Sequence, residues 1–294
     1  MMRVTQSGQP AQTTTTTVIQ RLRQLTTTML IVGSTTALCA SPPAASAAPL
    51  INGLGGPLGF GEGELAANDD LSTGELDLPF AINFFGNTYD HFFVNNNGNI
   101  SFGGALNTYT PNAFPGAPRP MIAPYWADVD TRNQPGGGRV FYNLDDPSSL
   151  VVTWNNVGYY ANHNDKLNNF QLVMNDQGSG DFDLEFRYDR LEWTTGDASS
   201  GSGGLGGDPA IAGYDSGNGT DADMLPFSGT ADVLRLVNTS NVNSNSPGLW
   251  RLTVRNGNPD IPDVPGPLPL LGIAAAAGWT RTLRRRLNGV QSGG

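Results

Sequence analysis

From Asp181 to Tyr188 the chain alternates without a break, Phe182, Leu184, Phe186 and Tyr188 interleaving with Asp181, Asp183, Glu185 and Arg187. Side chains on a strand point to opposite faces with a period of two, so this segment predicts a strand with one side on a core and the other in water. Phe170 to Met174 precede it across Asp176-Gln177-Gly178-Ser179-Gly180, which predicts a hairpin. Two further hairpins are expected upstream. Phe92 to Val94 and Ile100 to Phe102 flank Asn97-Gly98, a pair suited to a turn that needs positive φ. Arg139 to Tyr142 and Leu150 to Trp154 flank Asp145-Asp146-Pro147-Ser148, where Asp caps its own backbone and Pro presets φ.

No convincing helical pattern lies between these strands. Short strands punctuated by Gly, Pro and Asn predict an all-β fold, a single antiparallel β-sandwich or barrel-like domain. Pro124 predicts an edge position or the start of a strand, because Pro cannot donate to a ladder. Trp126, Trp154, Trp193 and Trp250 are expected in the core, with a platform for sugar stacking as the functional alternative. Thr195 to Asp208, rich in Gly and Ser, reads as a flexible surface loop, and residues 257–263 read as a Pro/Asp-rich linker.

The chain has one Cys, Cys39, which lies ahead of the β domain, so that domain has no disulfide and no thiolate. About 210 residues must therefore cohere through their own core, a length common for one all-β domain. Between Ala48 and Asp263 nine Lys and Arg stand against all 26 Asp and Glu of the chain, a net charge of -17. Such a field repels phosphate backbones and anionic membrane surfaces, which disfavours nucleic acid and favours cations or cationic polymers as partners.

The two ends read as targeting segments. Residues 1–47 predict a signal peptide: Arg21 and Arg23 precede an apolar run from Met29 to Ala40, and Ala45-Ser46-Ala47 has the small-residue pattern of a cleavage site. Leu38 stands before Cys39, where a lipoprotein signal has a small residue, so lipidation is not expected. At the other end Val264, Pro265, Gly266 and Pro267 lead into an apolar stretch, Leu268 to Trp279, followed by Arg281, Arg284, Arg285 and Arg286. That stretch is expected to form a short hydrophobic helix, below the ~20 residues of a spanning segment, while the Arg cluster favours the cytoplasmic side. The order resembles the PEP-CTERM sorting signal of bacterial envelope proteins, with Gly266 where the commonest form has Glu. The resemblance implies an exosortase-type enzyme as processing partner, transient membrane anchoring through residues 264–287, and a short polar tail at 288–294.

Within residues 48–256 several motifs occur in register: Phe84-Phe85-Gly86, Phe93-Val94-Asn95-Asn96-Asn97-Gly98, Ile122-Ala123-Pro124-Tyr125-Trp126-Ala127-Asp128-Val129-Asp130, Trp193-Thr194-Thr195-Gly196 and Pro247-Gly248-Leu249-Trp250. Together they resemble the NIDO domain of nidogen, tectorin and the large mucins. The resemblance implies an extracellular module of matrix, adhesion or secreted surface proteins, with no enzymatic activity attached. Here the module stands without the Cys-rich neighbours usual in animals, which leaves its specific partner open.

Chemistry-bearing candidates are few. Asp128 and Asp130, at alternate positions of an expected strand, would share one face, and neighbouring oxygens could complete a hard-cation site such as Ca²⁺; the bland alternative is a solvated face or turn caps. His91 and His163 are the two candidate imidazole bases, and no nucleophile elbow or zinc-protease helix accompanies them. The expected function is that of a non-catalytic, exported cell-envelope or matrix protein that binds extracellular polysaccharide or surface proteins. A self-assembling surface subunit and a carbohydrate-active enzyme using paired carboxylates such as Asp181 and Asp183 remain as alternatives.

Overall fold

The computed structural model describes residues 47–263 except Gln134 and Gly137. The expected signal peptide with Ala45, the expected sorting residues Val264, Pro265, Gly266, Pro267, Arg284, Arg285 and Arg286, and the expected C-terminal helix lie outside the described residues. Ala47, the last residue of the expected cleavage pattern, is half-buried.

The strands in chain order are β1 (Gly63–Leu65), β2 (Leu76–Phe84), β3 (Asn87–Asn95), β4 (Asn99–Ser101), β5 (Met121–Trp126), β6 (Val129–Asp130), β7 (Arg139–Asn143) and β8 (Ser149–Tyr159). They continue as β9 (His163–Gly178), β10 (Asp181–Arg190), β11 (Gly201–Ser202), β12 (Leu205–Gly206), β13 (Ile211–Asp215), β14 (Ala222–Met224), β15 (Leu249–Arg255) and β16 (Asn258–Asp260). One sheet runs β1-β7-β8-β9-β10-β15-β16 with β6 paired to β8, and a second runs β14-β13-β5-β4-β3-β2. All pairs are antiparallel, and the two sheets share one core in a sandwich-like arrangement.

The three expected hairpins are present as β3–β4, β7–β8 and β9–β10. On β10 the alternation is complete: Phe182, Leu184, Phe186 and Tyr188 are fully buried. Residues from both sheets meet in the middle. Tyr125 of β5 lies 5.4 Å from the ring of Phe170 on β9, Trp154 stacks on the same Phe170 at 5.1 Å, and the hydroxyl of Tyr188 donates across the layers to the carbonyl of Pro124 at 2.7 Å. All four core tryptophans are buried, and each indole N–H donates to a backbone carbonyl, of Thr108, Asn96, Val157 and Leu236 respectively. Buried and tethered in this way, none of them is a sugar platform.

Four local expectations need correction. Pro124 sits inside β5, which has neighbours on both sides; the ladder with β13 shifts register between Ile211 and Gly213, so the bulge falls where Pro offers no donor. Residues 195–208 form a short 3₁₀ turn, Asp197–Ser199, and the hairpin β11–β12. Thr194 and Thr195 donate their N–H groups to the carbonyl of Gly204, and the Thr195 hydroxyl reaches that of Asp208, so composition alone misread a segment pinned by its backbone. The expected linker begins with β16, whose Asn258–Asp260 pair with β15. Finally, a 3₁₀ helix spans Ala231–Asn238, capped by the Thr230 side chain and burying Val233 and Leu236 at the three-residue spacing such a helix requires.

Candidate functional site

The β3–β4 turn is buried, although Asn residues usually mark exposed turns. Asn95, Asn96, Asn97 and Asn99 have no exposed surface. Burial obliges each amide to find partners, and they do. Asn95 donates to Asn99 and Ser101, Asn96 donates to the Val129 carbonyl, and Asn97 accepts from the Val129 N–H at 2.9 Å while donating to Asp70 at 2.8 Å. Gly98 closes the turn at φ +75°, and a Cβ there would stand 1.7 Å from the Tyr125 carbonyl oxygen. Only glycine fits.

This amide cluster joins two acidic segments. Asn68 exchanges hydrogen bonds with Thr131, and Asp69 bridges Asp130 through the backbone. Asp70 has φ +52° and turns its carboxylate inward. Asp128 lies between β5 and β6, in a bend rather than on a strand, with Tyr160 N–H donating to its backbone carbonyl. Carboxylate oxygens of Asp69, Asp70 and Asp128 fall within 4.8 Å of one another.

Asp128 and Asp130 therefore do not share a strand face, because β5 ends at Trp126 and β6 starts at Val129. Asp130 is gripped by Arg132, through Nε to Oδ1 at 3.0 Å and Nη2 to Oδ2 at 2.6 Å, and also accepts from the Asn162 N–H at 2.8 Å. Burial pushes its carboxyl up, but these hydrogen bonds outweigh burial and hold it below the ordinary carboxylate range. Arg132 reaches Oδ2 of Asp69 as well, at 3.0 Å.

The other three carboxylates are in the opposite condition. Burial, then the charges of Asp69, Asp70 and Asp130, push Asp128 up to about 8 against the pull of Arg132. Burial and the charges of Asp130 and Asp70 push Asp69 up to about 6. Burial also raises Asp70, opposed by the hydrogen bond from Asn97. Asp128 is 1% exposed, and its Oδ2, like Oδ1 of Asp69, is a buried oxygen with no hydrogen-bond partner. A cleft of about 200 Å³ opens beside them, between Asp70, Asp128, Tyr109, Tyr160 and Ala198. Gly196 packs against the carboxylate itself: a Cβ there would lie 2.4 Å from Oδ2 of Asp128. Asp69 and Asp70 escape sequence reasoning, since the only signal they offer is an adjacent acidic pair far from Asp128 in the chain.

The remaining candidates are scattered. His91 lies half-exposed on β3, 2.8 Å from Asp77, and His163 stacks on Tyr159 with its Nδ1 3.2 Å from the Tyr160 carbonyl. Asp183 is paired with Arg255, and Asp181 accepts from the Asn256 N–H. A larger depression of about 440 Å³ near Phe227, Asn243, Pro247 and Trp250 is lined by residues that carry no titratable group.

The nidogen-like domain family matches residues 90–151 and 143–256, spanning β3 to β15. The chain belongs to the nidogen-like domain family. Within this nidogen-like domain, Asp128 falls inside the matched region, whereas Asp69 and Asp70 come from the flank before it. The chain is 36% identical to alpha-tectorin of Mus musculus over 63% of its own length and 10% of that protein. It is 27% identical to dendrite extension defective protein 1 of Caenorhabditis elegans over 60% of its length, and 28% identical to nidogen of Drosophila melanogaster over 65%. It spans 16% of each of these two relatives. No solved structure matches the chain.

Proposed function

We propose that this chain is an exported, non-catalytic component of a bacterial cell envelope or matrix, acting by adhesion through its nidogen-like domain. Membership of that family carries the reading, because the family is an extracellular module of matrix, adhesion and secreted surface proteins. The organisation of the fold supports it. The four tryptophans of the β domain are spent on the core, the paired carboxylates Asp181 and Asp183 are tied to partners, and Gly- and Asn-rich loops such as residues 216–221 and 242–246 are left at the surface of a rigid sandwich, where binding contacts commonly reside. The partners are extracellular polysaccharide or surface proteins. Residues 1–47 direct export, and Val264 to Pro267 with Arg284 to Arg286 are the sorting signal read by an exosortase-type enzyme, with transient membrane anchoring before processing.

The test is fractionation and intact-mass measurement of the protein from its native host, together with co-sedimentation on the host's exopolysaccharide. A surface or medium species that ends upstream of Leu268 and sediments with polysaccharide is expected. Full-length protein retained in the cell interior, or hydrolysis of the polysaccharide, would overturn the reading.

A further inference from the structure

We propose that Asp69, Asp70 and Asp128 form a binding site for a single hard divalent cation of the Ca²⁺ class. Three acidic residues close together are common without an ion, so the weight falls on how their oxygens are used. Arg132 occupies Oδ2 of Asp69 and leaves Oδ1 buried and unpartnered. Asn97 occupies Oδ1 of Asp70 and leaves Oδ2. Oδ2 of Asp128, on a side chain almost wholly buried, has no donor at all. Each carboxylate thus keeps an oxygen uncommitted, and in two of the three that oxygen is sealed from water by the protein. A buried carboxylate oxygen without a donor is costly, and a cation relieves that cost.

The ligand set favours Ca²⁺ over Mg²⁺, because Ca²⁺ accepts irregular sets of oxygen ligands whereas Mg²⁺ demands near-ideal octahedral geometry and dehydrates reluctantly. Ligand oxygens lie about 2.3–2.6 Å from Ca²⁺, so oxygens on opposite sides of one ion stand roughly 4.6–5.2 Å apart, whereas Mg²⁺ needs about 4.0–4.2 Å. One oxygen from each of the three carboxylates lies within 4.8 Å of the others, inside the span that a single Ca²⁺ bridges. The donor set is entirely oxygen, which selects a hard cation over Zn²⁺ or copper. The adjoining cleft of about 200 Å³ has room for the waters that complete six to eight ligands. Asp130, with Arg132, acts as a positioning residue: it holds the guanidinium that orients Asp69 and is not itself a ligand. The ion would tie the segment before β2 to the β5–β6 bend, beside Gly196 at the start of the 3₁₀ turn Asp197–Ser199.

Full-length protein stripped with EGTA and titrated with CaCl₂ by calorimetry, with MgCl₂ in parallel, tests this. One saturable Ca²⁺ site per chain is expected, with weaker Mg²⁺ binding and a melting temperature raised by several degrees in excess Ca²⁺. Asp128→Asn is expected to weaken binding at least tenfold, Asp70→Asn likewise, and Asp146→Asn, on an exposed turn, to leave it unchanged. A second readout is Tb³⁺ luminescence sensitised by Tyr109 and Tyr160, displaced by Ca²⁺ and lost in Asp70→Asn, which keeps the test sound if Asp128→Asn folds poorly. No saturable binding at millimolar Ca²⁺, equal Mg²⁺ affinity, or binding reduced equally by all three substitutions would overturn the assignment, the last marking diffuse attraction to an acidic surface.

Discussion

The side-chain amide of Asn97 donates to Oδ1 of Asp70 at 2.8 Å, while its carbonyl oxygen accepts from the backbone of Val129 at 2.9 Å. One buried side chain thereby fixes the segment before β2 and the bend after β5 at the same time. Asn97→Ala removes both bonds, leaving the Val129 N–H with the Ala127 carbonyl as its remaining partner and Oδ1 of Asp70 without its donor. A loss of roughly 1–3 kcal/mol in urea denaturation is expected, the cost of leaving one polar group without its partner. A loss below 0.5 kcal/mol would show that the two segments are held elsewhere.

In cation-free buffer the acidic cluster gives stability an unusual pH slope. Asp69 and Asp128 keep their protons up to about 6 and about 8 in the fold, against 3.8 for an ordinary Asp. Between those values the folded chain binds more protons than the unfolded one, so this contribution is complete below about pH 4 and disappears as pH rises toward 8. Asp130, held below the ordinary range, acts with the opposite sign in acid. Melting curves from pH 5 to 8 in EGTA should therefore fall, and Asp128→Asn should flatten the upper part of the fall. An unchanged slope in that variant would remove Asp128 as its source.

Tyr188 and Pro124 connect the two sheets through a hydrogen bond of 2.7 Å inside the core. Tyr188→Phe keeps the ring and deletes the hydroxyl, leaving a buried carbonyl without its donor. We expect a loss of about 1–3 kcal/mol, with near-ultraviolet circular dichroism unchanged because the aromatic packing persists. A neutral result in guanidinium titration would mean that the Pro124 carbonyl finds another donor.

Gly196 and Asp128 are in such close approach that a methyl group at position 196 would meet the carboxylate at 2.4 Å. Gly196→Ala should displace Asp128 and reduce Ca²⁺ affinity in calorimetry by more than tenfold, while Gly74→Ala, where a Cβ meets open space and the backbone needs no positive φ, should leave it within twofold. Equal affinities in the two variants would refute the role of Gly196 in seating the Asp128 carboxylate.

Trp154 stacks on Phe170 with ring planes 11° apart, and neither side chain is exposed. Trp154→Ala should lower stability by about 3–5 kcal/mol, as large-to-small changes in a packed core do. If instead stability is preserved and polysaccharide binding is lost, the tryptophan serves a ligand and the core assignment fails.

Residue order alone determined the all-β class, the three hairpins and the inward face of β10, because period-two alternation and turn chemistry act over a few residues and need no knowledge of the rest of the chain. It also marked the tryptophans as core, since burial of so much apolar surface is favourable wherever they sit. The carboxylate site was decided by tertiary structure. Asp69 and Asp70 reach Asp128 only after the buried Asn95–Asn99 turn joins segments distant in sequence, and the same joining brings Asp69 to the Arg132 that already holds Asp130 two residues away. The β11–β12 hairpin and the 3₁₀ helix Ala231–Asn238 were likewise hidden, one in a Gly-rich composition and the other in a period of three. Local pattern reports which face of a residue is greasy; which charges meet depends on long-range backbone pairing, and pairing is a property of the folded chain.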